Sequence, residues 1–213
     1  MKLAIFDLDG TLVDSLGDLA DACNNGLKKM GYPVHELEKY RYFVGDGVLK
    51  LVERILPEDK RSEENISALK AEFDSYYNVH YADKTHPYDG IVSLLDALSA
   101  KGVKLAVASN KPDEFTKSVV NVFFEGKFDM VLGKCPDTEK KPAPDILLKI
   151  MDALDVSADE TVMIGDTNVD IRTAKNAGVS SIGCLWGFRT MEELEQAGAD
   201  HIVSSPNEIL KYI

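Results

Sequence analysis

The chain has 213 residues, 45% of them hydrophobic and 28% charged, which suits one large domain carrying an insertion or one large plus one small domain. Its formal net charge of -12, from 24 Lys and Arg against 36 Asp and Glu, argues against a nucleic-acid partner or an anionic membrane surface, since both call for a basic patch. Cys23, Cys135 and Cys184 form neither a disulfide framework nor a paired metal motif, no apolar run reaches membrane-spanning length, and the first strand starts too early for a signal peptide, so a cytoplasmic chain is expected.

Leu3-Ala4-Ile5-Phe6 reads as a strand buried on both faces, and it runs directly into Asp7-Leu8-Asp9-Gly10-Thr11. Two carboxylates this close to a hydrophobic core repel each other and lose hydration unless a cation or a proton offsets them. A divalent metal is one answer, and hard oxygen donors suit Mg²⁺. An acidic turn after a strand is the plainer alternative.

From Ser15 to Met30, Leu16, Leu19, Ala20, Cys23 and Leu27 follow helical spacing, and Gly31 ends the run. Two further helices are expected, from Gly47 to Leu56 and from Ser62 to Tyr81. With no convincing strand among them, residues 14–84 read as a helical module inserted after the first strand. Beyond Gly90 helices and strands alternate. Helices are expected at Ile91 to Ala100, Pro112 to Phe124, Pro144 to Leu154, Asn168 to Ala177, Met191 to Ala197 and from Asn207 onward. Strands are expected at Val103 to Ala108, Met130 to Leu132, Thr161 to Ile164, Ser180 to Leu185 and His201 to Val203. This alternation predicts an α/β core, residues 1–13 plus 85–213, with a parallel sheet and helices on both faces.

In a parallel sheet every strand's carboxyl end points to one rim, where such sheets bind ligands. Besides Asp7 and Asp9, that rim would carry Ser109-Asn110-Lys111-Pro112, whose hydroxyl and amide could donate to phosphate oxygens or equally cap the next helix. The Lys140-Lys141-Pro142-Ala143-Pro144 loop brings positive charge to an acidic chain, although exposed loop lysines are commonly just solvated. Val162-Met163-Ile164-Gly165-Asp166 is a second apolar strand ending in an acid, and Asp170 follows one helical turn later, where a helix dipole alone would favour it. His35, His80, His86 and His201 lack metal-ligand spacing.

In that order the strand ends resemble the four motifs of the haloacid dehalogenase-like phosphatases. The resemblance implies a Rossmann-like core with an inserted α-helical cap. It implies that Asp7 is the nucleophile that becomes an aspartyl-phosphate and that Asp9 is the general acid and base. Ser109, with Asn110 beside it, would bind the transferring phosphoryl group, and the third-motif lysine would be Lys141, with Lys140 still open. Mg²⁺ would be bound by Asp7, the backbone carbonyl of Asp9 and Asp166, with Asp170 supporting the metal shell. The loop Tyr42-Phe43-Val44-Gly45-Asp46-Gly47 is similar to one in phosphoglycolate phosphatases, with Arg41, Lys50 and Arg54 as nearby cations.

The expected activity is therefore hydrolysis of a small phosphorylated metabolite, 2-phosphoglycolate first, by a monomer or homodimer. Pyrophosphate, sugar phosphates and nucleotides are alternative substrates, and a phosphomutase is an alternative outcome on the same scaffold. A haloalkanoate dehalogenase would need neither a proton-donating Asp9 nor the later metal acids. A phosphorylation-dependent receiver module would place paired acids at its first strand and its acceptor aspartate at a later one.

Overall fold

A computed structural model describes residues 1–213. The chain divides into two compact units, Met1–Asp14 with Pro87–Ile213, and Ser15–His86. It leaves the first along a short strand β2 (Val13–Asp14) and returns along β3 (His86–Pro87).

The first unit is built on six parallel strands in the order β5-β4-β1-β6-β7-β8. These are β1 (Leu3–Phe6), β4 (Lys104–Pro112), β5 (Met130–Lys134), β6 (Thr161–Gly165), β7 (Ser180–Cys184) and β8 (His201–Val203). Strand β1 is central, pairing Ile5 with Ala106 of β4 on one side and with Met163 of β6 on the other. Its four side chains are completely buried, which is why it reads as an uninterrupted apolar run. The chain runs outward from β1 through β4 and β5, then crosses back to β6. That reversal of direction beside β1 is the place where an α/β sheet opens a crevice at its carboxyl rim.

Helices α5 (Ile91–Ala100), α6 (Asp113–Phe124), α7 (Asp145–Leu154), α8 (Asn168–Ala177) and α9 (Met191–Ala197) connect these strands. Ile146, Leu147 and Ile150 of α7 join Leu3, Ile5, Ala106, Ala108 and Met163 in one apolar cluster. Burying each large aliphatic side chain contributes about 1.5–3 kcal/mol, so this layer holds the rim rigidly from below.

The second unit consists of α1 (Leu16–Lys29), α2 (Leu37–Phe43), α3 (Val48–Ile55) and α4 (Glu63–His80). Buried Asp18, near the start of α1, accepts hydrogen bonds from the backbone of Lys84 and Thr85 and from the Thr85 hydroxyl, tying the beginning of this unit to its end.

Three local readings change. Helix α2 was not expected: it is seven residues long and buries only Tyr40, so it leaves little apolar periodicity. Strand β4 continues through Ser109, Asn110 and Lys111 to Pro112 after a register shift beyond Ala108, and α6 therefore starts at Asp113. The closing segment is a 3₁₀ helix, Pro206–Lys211, in place of an α-helix from Asn207.

Candidate active site

The carboxyl ends of β4, β1 and β6 lie side by side, and each delivers part of one buried polar cluster. Asp7 follows β1 directly. Beyond it, the carbonyl of Leu8 accepts the N–H groups of Thr11, Leu12 and Val13, which folds residues 8–13 into a tight loop. That loop presents the Thr11 hydroxyl to Asp166 Oδ1 at 2.9 Å. The Phe188 backbone N–H reaches the other oxygen, Oδ2, at 2.8 Å, and Trp186 braces the loop by donating to the Thr11 carbonyl. Asp166 is thus oriented from both sides.

Asp170 sits in the first turn of α8. Its Oδ2 accepts the backbone N–H and the hydroxyl of Thr167, while its Oδ1 takes the ammonium of Lys141 at 2.7 Å. Lys141, 1% exposed, also lies 2.9 Å from Asp7 Oδ1 and donates to the carbonyl of Ala108. Lys140, its neighbour, is exposed. The side chain of Asn110 grips the Lys141 backbone at both ends, accepting from its N–H and donating to its carbonyl. Ser109 is buried beside it, and its Oγ accepts the Lys111 N–H.

Ligand atoms of Asp7, Asp166 and Asp170 all lie within 4.8 Å of one another. Burial, together with the charge of Asp170, pushes the Asp7 carboxyl well above its usual range despite the opposing Lys141, and pushes Asp166 up to about 7. Burial alone would draw the Lys141 ammonium down, but Asp170 and Asp7 outweigh it and the pKa is raised. Three carboxylates against one ammonium leave an excess of negative charge in a desolvated place. Their donor atoms are hard oxygens, so the residues fit a divalent cation of the magnesium, manganese or calcium type.

This close packing depends on glycine at two points. A Cβ on Gly165 would stand 2.3 Å from Asp170 Cβ, and one on Gly187 would stand 2.3 Å from Asp166 Cβ and 2.4 Å from the Gly10 carbonyl oxygen. The second clash includes backbone and cannot be relieved by a rotamer change. Gly187→Ala is expected to destabilise the protein by about 1–3 kcal/mol, read as a lower urea midpoint at unchanged slope.

The haloacid dehalogenase-like hydrolase model matches residues 4–184 of the sequence. The chain belongs to that family. A phosphoglycolate phosphatase of Aquifex aeolicus is 35% identical over 212 residues, covering 99% of this chain and 96% of the relative. One from Vibrio parahaemolyticus is 34% identical over 219 residues, covering 100% of this chain and 96% of the relative. Among solved structures, a candidate phosphoglycolate phosphatase from Lactobacillus delbrueckii subsp. bulgaricus superposes with a TM-score of 0.95 at 35% identity, covering 100% of this chain and 98% of that one.

Of the expected site residues, Asp7, Ser109, Asn110, Lys141, Asp166 and Asp170 converge in this haloacid dehalogenase-like core, and Asp9 stands at its edge with a side chain 19% exposed. Three groups carry no site role in the sequence reading. Thr11 and the 186–188 loop orient Asp166, a role visible only once β7 is seen beside β6. Lys111 holds Asp9 through both carboxylate oxygens at 2.9 Å, and its place beside Ser109 and Asn110 was the available signal. Arg189 is almost buried, pairs with Glu193, and its charge works against the raised pKa of Asp166.

In the helical unit, Arg41 pairs with Glu38, Lys50 with Glu53 and Arg54 with Asp46, and Arg54 also donates to the Phe43 carbonyl. Arg54 therefore braces the loop between α2 and α3. No helix of the protein is long and apolar enough to cross a membrane.

Proposed function

We propose that this hydrolase is a Mg²⁺-dependent phosphatase that cleaves a small phosphomonoester, 2-phosphoglycolate, through an aspartyl-phosphate on Asp7. The observation that carries the reading is the convergence of Asp7, Lys141, Asp166 and Asp170 at one strand rim, with Asp9 two residues from Asp7. The substrate is taken from relatives that match almost the full chain and are named phosphoglycolate phosphatase.

Asp7 attacks phosphorus with one carboxylate oxygen, and the bond to the leaving oxygen breaks as Asp9 protonates it. Asp9, now a carboxylate, takes a proton from water, which cleaves the phosphorus bond to Asp7 and releases inorganic phosphate. Lys141 offsets charge on the phosphoryl oxygens and on Asp7, and Ser109 donates its hydroxyl to the same oxygens. Asn110 and Asp170 keep Lys141 in place. Asp7, the carbonyl of Asp9 and Asp166 would hold Mg²⁺, with Asp170 beside them, and the bound ion would neutralise phosphoryl charge as a Lewis acid. The helical unit, inserted immediately after the loop that carries Asp9, acts as the substrate-selecting cap. The three free thiols suit a reducing cytoplasm.

Phosphate release from 2-phosphoglycolate, pyrophosphate, sugar phosphates and nucleoside monophosphates, each with Mg²⁺ or with EDTA, tests the reading. The highest kcat/KM is expected for 2-phosphoglycolate, with loss of turnover in EDTA. Activity that persists in EDTA would overturn the metal dependence. Isomer formation without free phosphate would make the protein a mutase.

A further inference from the structure

Lys111 has no part in the mechanism above, yet it is built into the rim. Its side chain is 5% exposed, and its Nζ lies 2.9 Å from Asp9 Oδ1 and 2.9 Å from Asp9 Oδ2. Burying an ammonium is costly unless a charged partner meets it, and immobilising a lysine gives up much rotamer entropy. The surrounding backbone supports the arrangement. The Lys111 N–H donates to Ser109 Oγ, its carbonyl accepts from the Thr116 hydroxyl, and Gly133 of β5 approaches so closely that a Cβ there would meet that carbonyl oxygen at 2.6 Å. The backbone of Lys111 is therefore fixed, and its head lies within hydrogen-bond reach of both oxygens of one carboxylate.

The two lysines on this rim divide the acids between them. Lys141 serves Asp7 and Asp170, the groups assigned to nucleophilic attack and to its support, while Lys111 serves Asp9. Asp9 lies on a six-residue loop and is more exposed than Asp7, so it needs a partner to hold one rotamer. We propose that Lys111 is the positioning residue of the acid/base step. It holds the Asp9 carboxyl at the distance from which it can reach the leaving oxygen, and it gains and loses no proton itself. The proposal rests on the reading of Asp9 as proton donor and acceptor.

Leaving-group chemistry separates this role from a structural one. The alkoxide released from 2-phosphoglycolate needs a proton as it departs, whereas the p-nitrophenolate released from p-nitrophenyl phosphate does not. Because kcat/KM reports events only through departure of the leaving group, Lys111→Met should lower it about 30-fold for 2-phosphoglycolate and less than about threefold for p-nitrophenyl phosphate. Lys111→Arg, which retains charge and reach, should recover most of the loss. In an Asp9→Asn background, adding Lys111→Met should change kcat/KM less than about twofold, because the group it positions is gone. If Lys111→Met does not fold, Lys111→Gln carries the same comparison. An equal loss on both substrates, or the same loss in both backgrounds, overturns the proposal and leaves the Asp9 reading intact. An Asp9→Asn enzyme with undiminished kcat/KM on 2-phosphoglycolate overturns the Asp9 reading itself.

Discussion

Asp7→Asn is expected to abolish turnover, by about four orders of magnitude or more, while leaving the protein folded. Asparagine matches aspartate in shape, so the packing at the end of β1 survives, and its Oδ1 can still accept the Leu8 N–H that Asp7 accepts at 2.7 Å. What disappears is the oxygen proposed to attack phosphorus. In the metal-free protein the substitution also removes one of three crowded carboxylates, and Lys141 keeps Asp170 as an ion-pair partner at 2.7 Å. The metal-free thermal midpoint should therefore be unchanged or higher. Two measurements check this. Acid-quenched protein incubated with labelled substrate should carry phosphate in the parent and none in Asp7→Asn, and calorimetry should show an intact cooperative transition. Residual turnover within tenfold of the parent, in a preparation whose mass spectrum shows no reversion of the new amide to aspartate, would exclude Asp7 as the nucleophile.

The parts of this site that the sequence disclosed are those set by short-range pattern. Leu3–Phe6 and Val162–Ile164 are apolar on both faces because the strands are sandwiched between helix layers, so the acids that follow them had to lie on the sheet rim. Resemblance to the third motif favours Lys141 over Lys140, but the physical separation of the two lies in three dimensions. The two are adjacent in the same Pro-rich loop, and only the grip of Asn110 on the Lys141 backbone decides which side chain enters. The reach of β4 was hidden for a related reason: Ser109 and Asn110 suit a helix cap, and pairing of Pro112 with Lys134 after a register shift keeps the chain extended. The roles of Lys111 and Phe188 are hidden because their partners are 102 and 22 residues away, and no local period records such a contact. Helix α2, with a single buried side chain, shows the same limit on a smaller scale.

The second large effect concerns Asp166 and reverses sign with metal. In the metal-free protein, burial and the neighbouring Asp170 raise its pKa to about 7. An unfolded chain binds that proton only below about 4. Between those limits the native state holds a proton that the unfolded state has released, so stability falls as pH rises from about 4 to about 7 and is level above. The loss amounts to about 4 kcal/mol at most, at about 1.4 kcal/mol per pH unit. Asp166→Asn cannot ionise and should lack this slope. The asparagine oxygen can keep the Phe188 N–H while its amide N–H turns to the Thr11 hydroxyl, which can accept as well as donate, and any cost of that exchange does not vary with pH. The difference between parent and variant, followed by urea denaturation in EDTA from about pH 4.5 to about pH 8, should therefore move in favour of the variant up to about pH 7 and stay level above it. With millimolar Mg²⁺ at about pH 8 the order should shift back, because a cation bound at the proposed site would stabilise the parent in proportion to its occupancy and would lack one of its proposed ligands in the variant. Parallel curves for the two proteins in EDTA would remove the electrostatic basis of the site. Equal stabilisation by Mg²⁺ would place the ion elsewhere.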